Sequence, residues 1–297
     1  MIYLPIAIVS FFLNSVAVTV DKLLLTKTIR DPLLYVFYFS LVSLLVLLIF
    51  PFIQVPTTNV LVLASLSTLF WTLAAYLMFK ALQIGLLQRV IPVIGTLTPL
   101  FLLIFARREH SISPSQTWAV IFLLSGLILL NLGYFKGRIK INELILSILS
   151  ALFFAVSYFL LRLAFLEESF LSVFVYSRPI LIPLGIILFL IPQFRRKILQ
   201  FQKNNLKIQN PAVWLFAAGQ ISAAASELLL IFAISLASPA IVNSLQGIKY
   251  IFLMIFSLVL GKKYPEIFVE KTSLMITLAK FLGIVSIIIG LYLLSLT

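Results

Sequence analysis

Glu227 stands in the run SAAASELLLIFAI, residues 222–234, and has no ionisable neighbour between Trp214 and Leu245. Lys249 follows in SLQGIKYIFL, on the other side of the short link SLASPA. At 1.5 Å per helical residue, both side chains lie roughly 14–15 Å from that link, near the middle of a bilayer. Charges at that depth are costly and need a partner or a wet cavity, so the two are expected to meet. One chemistry open to such a pair is to hold the charged groups of a solute or to exchange a proton. The plainer alternative is an ion pair that only fixes helix packing.

Other polar side chains fall at similar depth. Gln220 precedes Glu227 by two helical turns, and Asn243, Gln246, Lys249 and Tyr250 recur at spacings of three and four. Residues so spaced share one helix face, which suits protein or water better than lipid. Arg178 is deep in another apolar run and is followed by Pro179 and Pro183. It reads either as an anion contact or as an arginine bonding carbonyls that the prolines free. Pro92, Gly95 and Pro99, with Thr96 and Thr98 between or beside them, are expected to interrupt a helix and either line a cavity or kink it. Asn14, Tyr76 and Tyr158 complete the candidate site residues, and Lys80 reads as an interfacial side chain.

Elements that place these residues follow from composition. Of 297 residues, 62% are hydrophobic and only 10% are charged, against about 25% charged in soluble domains. Mean hydropathy is +1.19. The chain is therefore expected to be an all-α, multi-pass protein of the cell membrane. Ten apolar runs can span, at about 2–20, 33–53, 60–82, 89–106, 116–134, 144–164, 170–193, 212–236, 240–260 and 274–296. The links are short, the longest being FRRKILQFQKNNLKIQNP, and leave no room for a soluble domain. The net charge of +13 collects in the links, which points to anionic headgroups and topology rather than to nucleic acid. With Lys22 placed in the first link, odd-numbered links hold 16 Lys and Arg and even-numbered ones three. That bias puts both termini outside.

The second half echoes the first. Lys22 of VDKLLL corresponds to Arg162 of FLLRLAF, an offset of 140, and Tyr38 to Tyr176, an offset of 138. Ala81 and Gly95 correspond to Ala233 and Gly247 at 152, and Gly126 and Gly133 to Gly283 and Gly290 at 157. Five matches in order predict two five-helix repeats, residues 1–138 and 139–297. An odd number of spans inverts one repeat relative to the other, the plan of many secondary transporters. With the run from Lys80 to Phe101, the Lys22 and Arg162 ends and the span WAVIFLLSGLILL, the chain resembles the EamA-like branch of the drug/metabolite transporter superfamily. It departs from the family where spans four and nine commonly close with Gly-Glu, having Arg108-Glu109 and Gly261-Lys262 there. The family is also often placed with both termini in the cytoplasm.

The resemblance implies a carrier of amino acids, organic anions or similar metabolites, with a central cavity lined by spans one, three, four, six, eight and nine. Expected partners are a small-molecule substrate, a bilayer with anionic headgroups and, as candidate coupling ion, protons. A monomer and a homodimer are both compatible with the sequence. No cofactor or metal is expected, since cysteine is absent and His110 is the only histidine. The same scarcity argues against a metal site or a Ser/His or Cys/His relay, hence against an enzyme. A channel or a scaffold remains the alternative; saturable exchange of solute separates them.

Overall fold

A computed structural model of the chain describes residues 2–27, 31–85, 87–106, 114–131, 141–205, 211–260 and 274–295. Residues 107–110, Gly133, the basic cluster at 136–140 and the link at 261–273 lie outside them. Most of the described residues are helical, and no strand is among them. Inside a bilayer every backbone N–H and C=O must be bonded within its own segment, and helices do this for apolar runs of any sequence. The helices are α1 (Tyr3–Lys27), α2 (Pro32–Ser43), α3 (Thr58–Ile84), α4 (Leu87–Ala106), α5 (Pro114–Asn131), α6 (Ile141–Glu167) and α7 (Phe170–Tyr176). They continue as α8 (Leu181–Leu190), α9 (Pro192–Asn205), α10 (Pro211–Leu236), α11 (Pro239–Ser244), α12 (Gly247–Leu260) and α13 (Leu274–Ser295). A 3-10 segment, Leu44–Phe52, extends α2.

Among the described residues, seven segments are long and apolar enough to cross a membrane: Tyr3–Leu24, Pro32–Phe52, Thr58–Ile84, Ile141–Glu167, Phe170–Leu190, Trp214–Leu236 and Pro239–Phe256. The chain is a membrane protein on that ground. Three shorter apolar helices, Val90–Phe105, Pro114–Leu129 and Leu278–Leu293, accompany them.

Local sequence accounts for starts and breaks. Asp31 caps α2 by accepting from Leu33 N at 3.0 Å and Leu34 N at 3.4 Å, with Pro32 at the first helical position. The expected seventh span is broken between α7 and α8 around Arg178 and Pro179, because proline has no N–H to continue the ladder. The expected ninth span is also broken. At Leu245–Gln246 the backbone tightens to bonds three residues apart, with Gln246 N donating to Asn243 O at 3.1 Å and Lys249 N to Gln246 O at 3.0 Å. Pro92 and Pro99, by contrast, do not interrupt α4, which runs through both. The described part of the long link after the seventh span is helical: α9 buries Phe194 and Ile198 and ties Lys197 to Asp31 at 2.6 Å.

Packing interleaves the two halves of the chain. The most extensive helix contacts are α3 with α6, α1 with α10, and α5 with α13. Across α1 and α10, Ser10 Oγ donates to Ser226 O at 2.8 Å. Across α6 and α3, Ser150 Oγ donates to Ala74 O, also at 2.8 Å. Small residues let α5 and α13 touch: a Cβ on Gly126 would lie 2.6 Å from Gly283 O, and Ser125 meets Ser286 at 2.8 Å.

Candidate functional site

α1 extends to Lys27, about two turns beyond its expected end, and this corrects the first link. Asp21 and Lys22 are helical and buried, at 5% and 4% exposure, rather than exposed link residues. Lys22 Nζ donates to Leu82 O at 2.7 Å and Gly85 O at 2.9 Å, at the C-terminus of α3, and faces Glu143 of α6. Arg162 does the equivalent from α6, donating to Ile234 O at 3.1 Å and Ser235 O at 2.8 Å at the C-terminus of α10. Each cation satisfies carbonyls that a helix end leaves without an intrahelical partner. Leu82 and Ile234 are related by the same offset of 152 as Ala81 and Ala233.

Between these ends lies a cavity of about 100 Å³. Its wall comes from α1 (Asn14, Asp21), α3 (Trp71), α4 (Thr98), α6 (Tyr158), α10 (Glu227) and the α11–α12 break with α12 (Gln246, Lys249), among others. Of the residues singled out in the sequence, Asn14, Tyr158, Glu227, Gln246 and Lys249 come together here. The shared depth of Glu227 and Lys249 does place both in one cavity. They do not pair, however. Lys249 donates to Asn14 Oδ1 at 3.2 Å and lies 5.6 Å from the Tyr250 ring. The cation acting on Glu227 is Arg178, with the Trp71 indole beside the carboxyl group. The helix break is the reason: it re-aims Lys249 toward α1, whereas the α7–α8 break turns Arg178 inward toward α10.

The polar stripe on the ninth span is real, but three of its four residues make structural bonds. Asn243 donates to Pro239 O at 2.9 Å, and Gln246 donates to Asn243 Oδ1 at 3.0 Å. Tyr250 donates to Ile91 O at 2.6 Å. It reaches that carbonyl because Gly95 is bare: a Cβ there would collide with the Tyr250 hydroxyl. Thr98, not Thr96, lines the cavity, and Thr98 Oγ1 donates to Ile94 O at 2.8 Å. Tyr76 is absent from the wall and lies 5.8 Å beneath Lys80, which is exposed as expected.

Gln220 and Arg178 belong to a second cavity, of about 500 Å³, between α10 on one side and α2 with its 3-10 extension on the other. Trp71 and Glu227 line both cavities and form the wall they share. Arg178 is 8% exposed and stands 4.9 Å from the Phe174 ring. Sequence reasoning missed Asp21, Tyr35, Trp71 and Glu143. The Tyr35 hydroxyl donates to Asp21 and accepts from Gln220 Nε2 at 3.2 Å, so α1, α2 and α10 are joined by one buried polar chain. The run VDKLLL had a usable signal: leucines continue for three residues beyond Lys22, as they would in a helix still inside the protein.

No protein-family model matches the chain, and no curated protein matches it. A solved structure described only as "Crystal structure of protein" superposes with a TM-score of 0.63 at 13% sequence identity, covering 96% of this chain and 98% of that chain. At that identity the likeness is one of fold.

Proposed function

We propose that the protein is a secondary carrier of the EamA-like, drug/metabolite transporter type, in the cell membrane, moving a small organic metabolite by alternating access. The single observation that carries this reading is the matched pair of latches, Lys22 on the end of α3 and Arg162 on the end of α10. In a ten-span, inverted-repeat reading the C-termini of α1 and α6 lie at opposite faces. One latch then stands toward each side of the cavity, and release of a latch opens its own side. The offset-related serine bonds at Ser10–Ser226 and Ser150–Ala74 support the same symmetry.

Moving bodies in this carrier are not the two sequence halves. α1 belongs with α10 and α12, and α3 and α4 belong with α6, with the cavity between the groups. α5 and α13 hold each other through Gly126 and Gly283 at the periphery. Asn14, Gln246 and Lys249 offer polar contacts from one body, and Thr98 and Tyr158 from the other. Glu227 is the candidate coupling group, because it stands at the wall between the two cavities.

Counterflow in proteoliposomes tests the reading, with labelled amino acids, organic acids and nucleotide sugars offered as a pool to wild type and Lys249→Gln. Accumulation of one class by wild type, reduced at least tenfold in the variant, is expected. Accumulation in both would keep the carrier and move the site off Lys249. Failure of every class to accumulate in monodisperse protein would favour a channel or scaffold.

A further inference from the structure

The second cavity is unlike a packing defect. Its body is apolar, formed by Val42, Leu45, Val46, Phe216, Ile221 and Ala224 among others. Its rim opens at the outer surface of the helices, where a bilayer would lie, with Leu45 at 63% and Ile221 at 70% exposure. Its inner end is polar and unsatisfied. Among the described residues, Arg178 Nε, Gln220 Oε1 and Glu227 Oε1 are each buried and lack a hydrogen-bond partner. Buried polar atoms are almost always bonded, so three orphans around one cavity mark groups held for a ligand. The set is also specific. Arg178 offers an N–H and positive charge, whereas Gln220 and Glu227 offer acceptors and negative charge.

We infer that this groove binds a zwitterionic amphiphile: an anionic group on Arg178, an ammonium on Gln220 and Glu227, and an apolar chain lying between α10 and α2 toward the lipid. A volume of about 500 Å³ is within the range of small-molecule sites, roughly 300–1,000 Å³. The inference deepens the carrier reading and rests on it for its purpose: the ligand enters sideways from the bilayer, and Trp71 and Glu227 separate it from the central cavity. The same head chemistry on a soluble zwitterion would arrive from water, and the test separates the two sources.

Trp118 and Trp214 are exposed and outside both cavities, so Trp118→Phe/Trp214→Phe leaves Trp71 as the one indole reporter. In phosphatidylcholine vesicles, lysophosphatidylethanolamine with a dibrominated acyl chain is expected to quench Trp71 saturably. Excess unbrominated lysophosphatidylethanolamine should reverse the quench. Arg178→Gln should weaken the apparent affinity at least tenfold, and Ala224→Phe, which fills the groove, should abolish saturation in protein that stays monodisperse. Reversal by phosphoethanolamine alone would overturn the bilayer source in favour of a soluble zwitterion. Equal saturation by a dibrominated monoacylglycerol would overturn the zwitterion. Non-saturable quenching, or quenching unchanged in both variants, would leave only bulk lipid and overturn the site. Binding is read here without transport, so a failed counterflow assay and a failed groove are distinguishable.

Discussion

At the residue scale, the decisive fact is which cation attends Glu227. Its depth matches that of Lys249, yet Arg178 is the cation acting on it and Lys249 is engaged by Asn14. Glu227 Oε1 has no hydrogen-bond partner among the described residues, and the carboxyl group stands on the wall between two cavities. A carboxyl group in that position can change its proton load without dismantling a structural ion pair, whereas Lys22 and Arg162 cannot be altered without freeing a helix end. Glu227→Gln keeps the shape and removes the titrating group. It is expected to leave solute exchange within about threefold of wild type and to abolish its response to an imposed pH gradient. Exchange in proteoliposomes with and without that gradient reads the difference; an unchanged gradient response in the variant sinks the proton role.

At the scale of elements, prolines and glycines did different things in different helices. Pro179 accompanies a true break, whereas Pro92 and Pro99 sit inside a continuous α4. The difference is tertiary: α4 packs along α6 and against α11, and those neighbours hold its course across the missing donors. Gly95 is explained by contact alone, since Tyr250 occupies the space its side chain would need. Gly95→Ala gains helix propensity of up to about 1 kcal/mol but must displace the Tyr250 hydroxyl, and overpacking costs about 1–3 kcal/mol. Tyr250→Phe loses the bond to Ile91 O, worth about 1 kcal/mol. Each single variant is expected to lower the unfolding temperature. The double variant should lie above the sum of the two, because removing the hydroxyl removes the clash. Thermal unfolding of the four proteins in one detergent checks this; strict additivity would mean that the two residues do not touch.

For the whole molecule, the symmetry of the latches makes a directional prediction. Charge-assisted bonds such as those of Lys22 and Arg162 are worth about 1.5–3 kcal/mol each. Losing one latch should therefore shift the balance of open states at least tenfold, toward one face only. The chain has no cysteine, and Ala17 lines the central cavity at 1% exposure, so Ala17→Cys is a clean reporter. Lys22→Met is expected to speed its labelling by an impermeant thiol reagent from one side of the membrane, and Arg162→Met from the other. Faster labelling from the same side in both variants would contradict the two-latch mechanism. Lys22 is buried and Arg162 half-buried, each against a helix end, which also refines the charge count. Without Lys22 on one side and Arg162 on the other, 16 against three becomes 15 against two, so the asymmetry of the charge count persists.

Much of this protein is written in its sequence for a simple reason: the bilayer imposes one secondary structure on long apolar runs, and hydropathy finds them. Helix content, the depth of Glu227 and Lys249, and the matched positions of Lys22 and Arg162 are all legible as spacing along one chain. Spacing says nothing about rotation or partners. That Lys22 lies inside the protein, capping α3, depends on α1 continuing two turns past its apparent end. That Lys249 faces Asn14 and Arg178 faces Glu227 goes with two helix breaks, one that Lys249 follows and one in which Arg178 stands. The pairing of α1 with α10 and of α3 with α6, across the two halves, decides where the cavities fall. Those contacts are set by small residues such as Ser10, Ser226, Ser150 and Ala74 meeting at close range, which only the packed structure brings together.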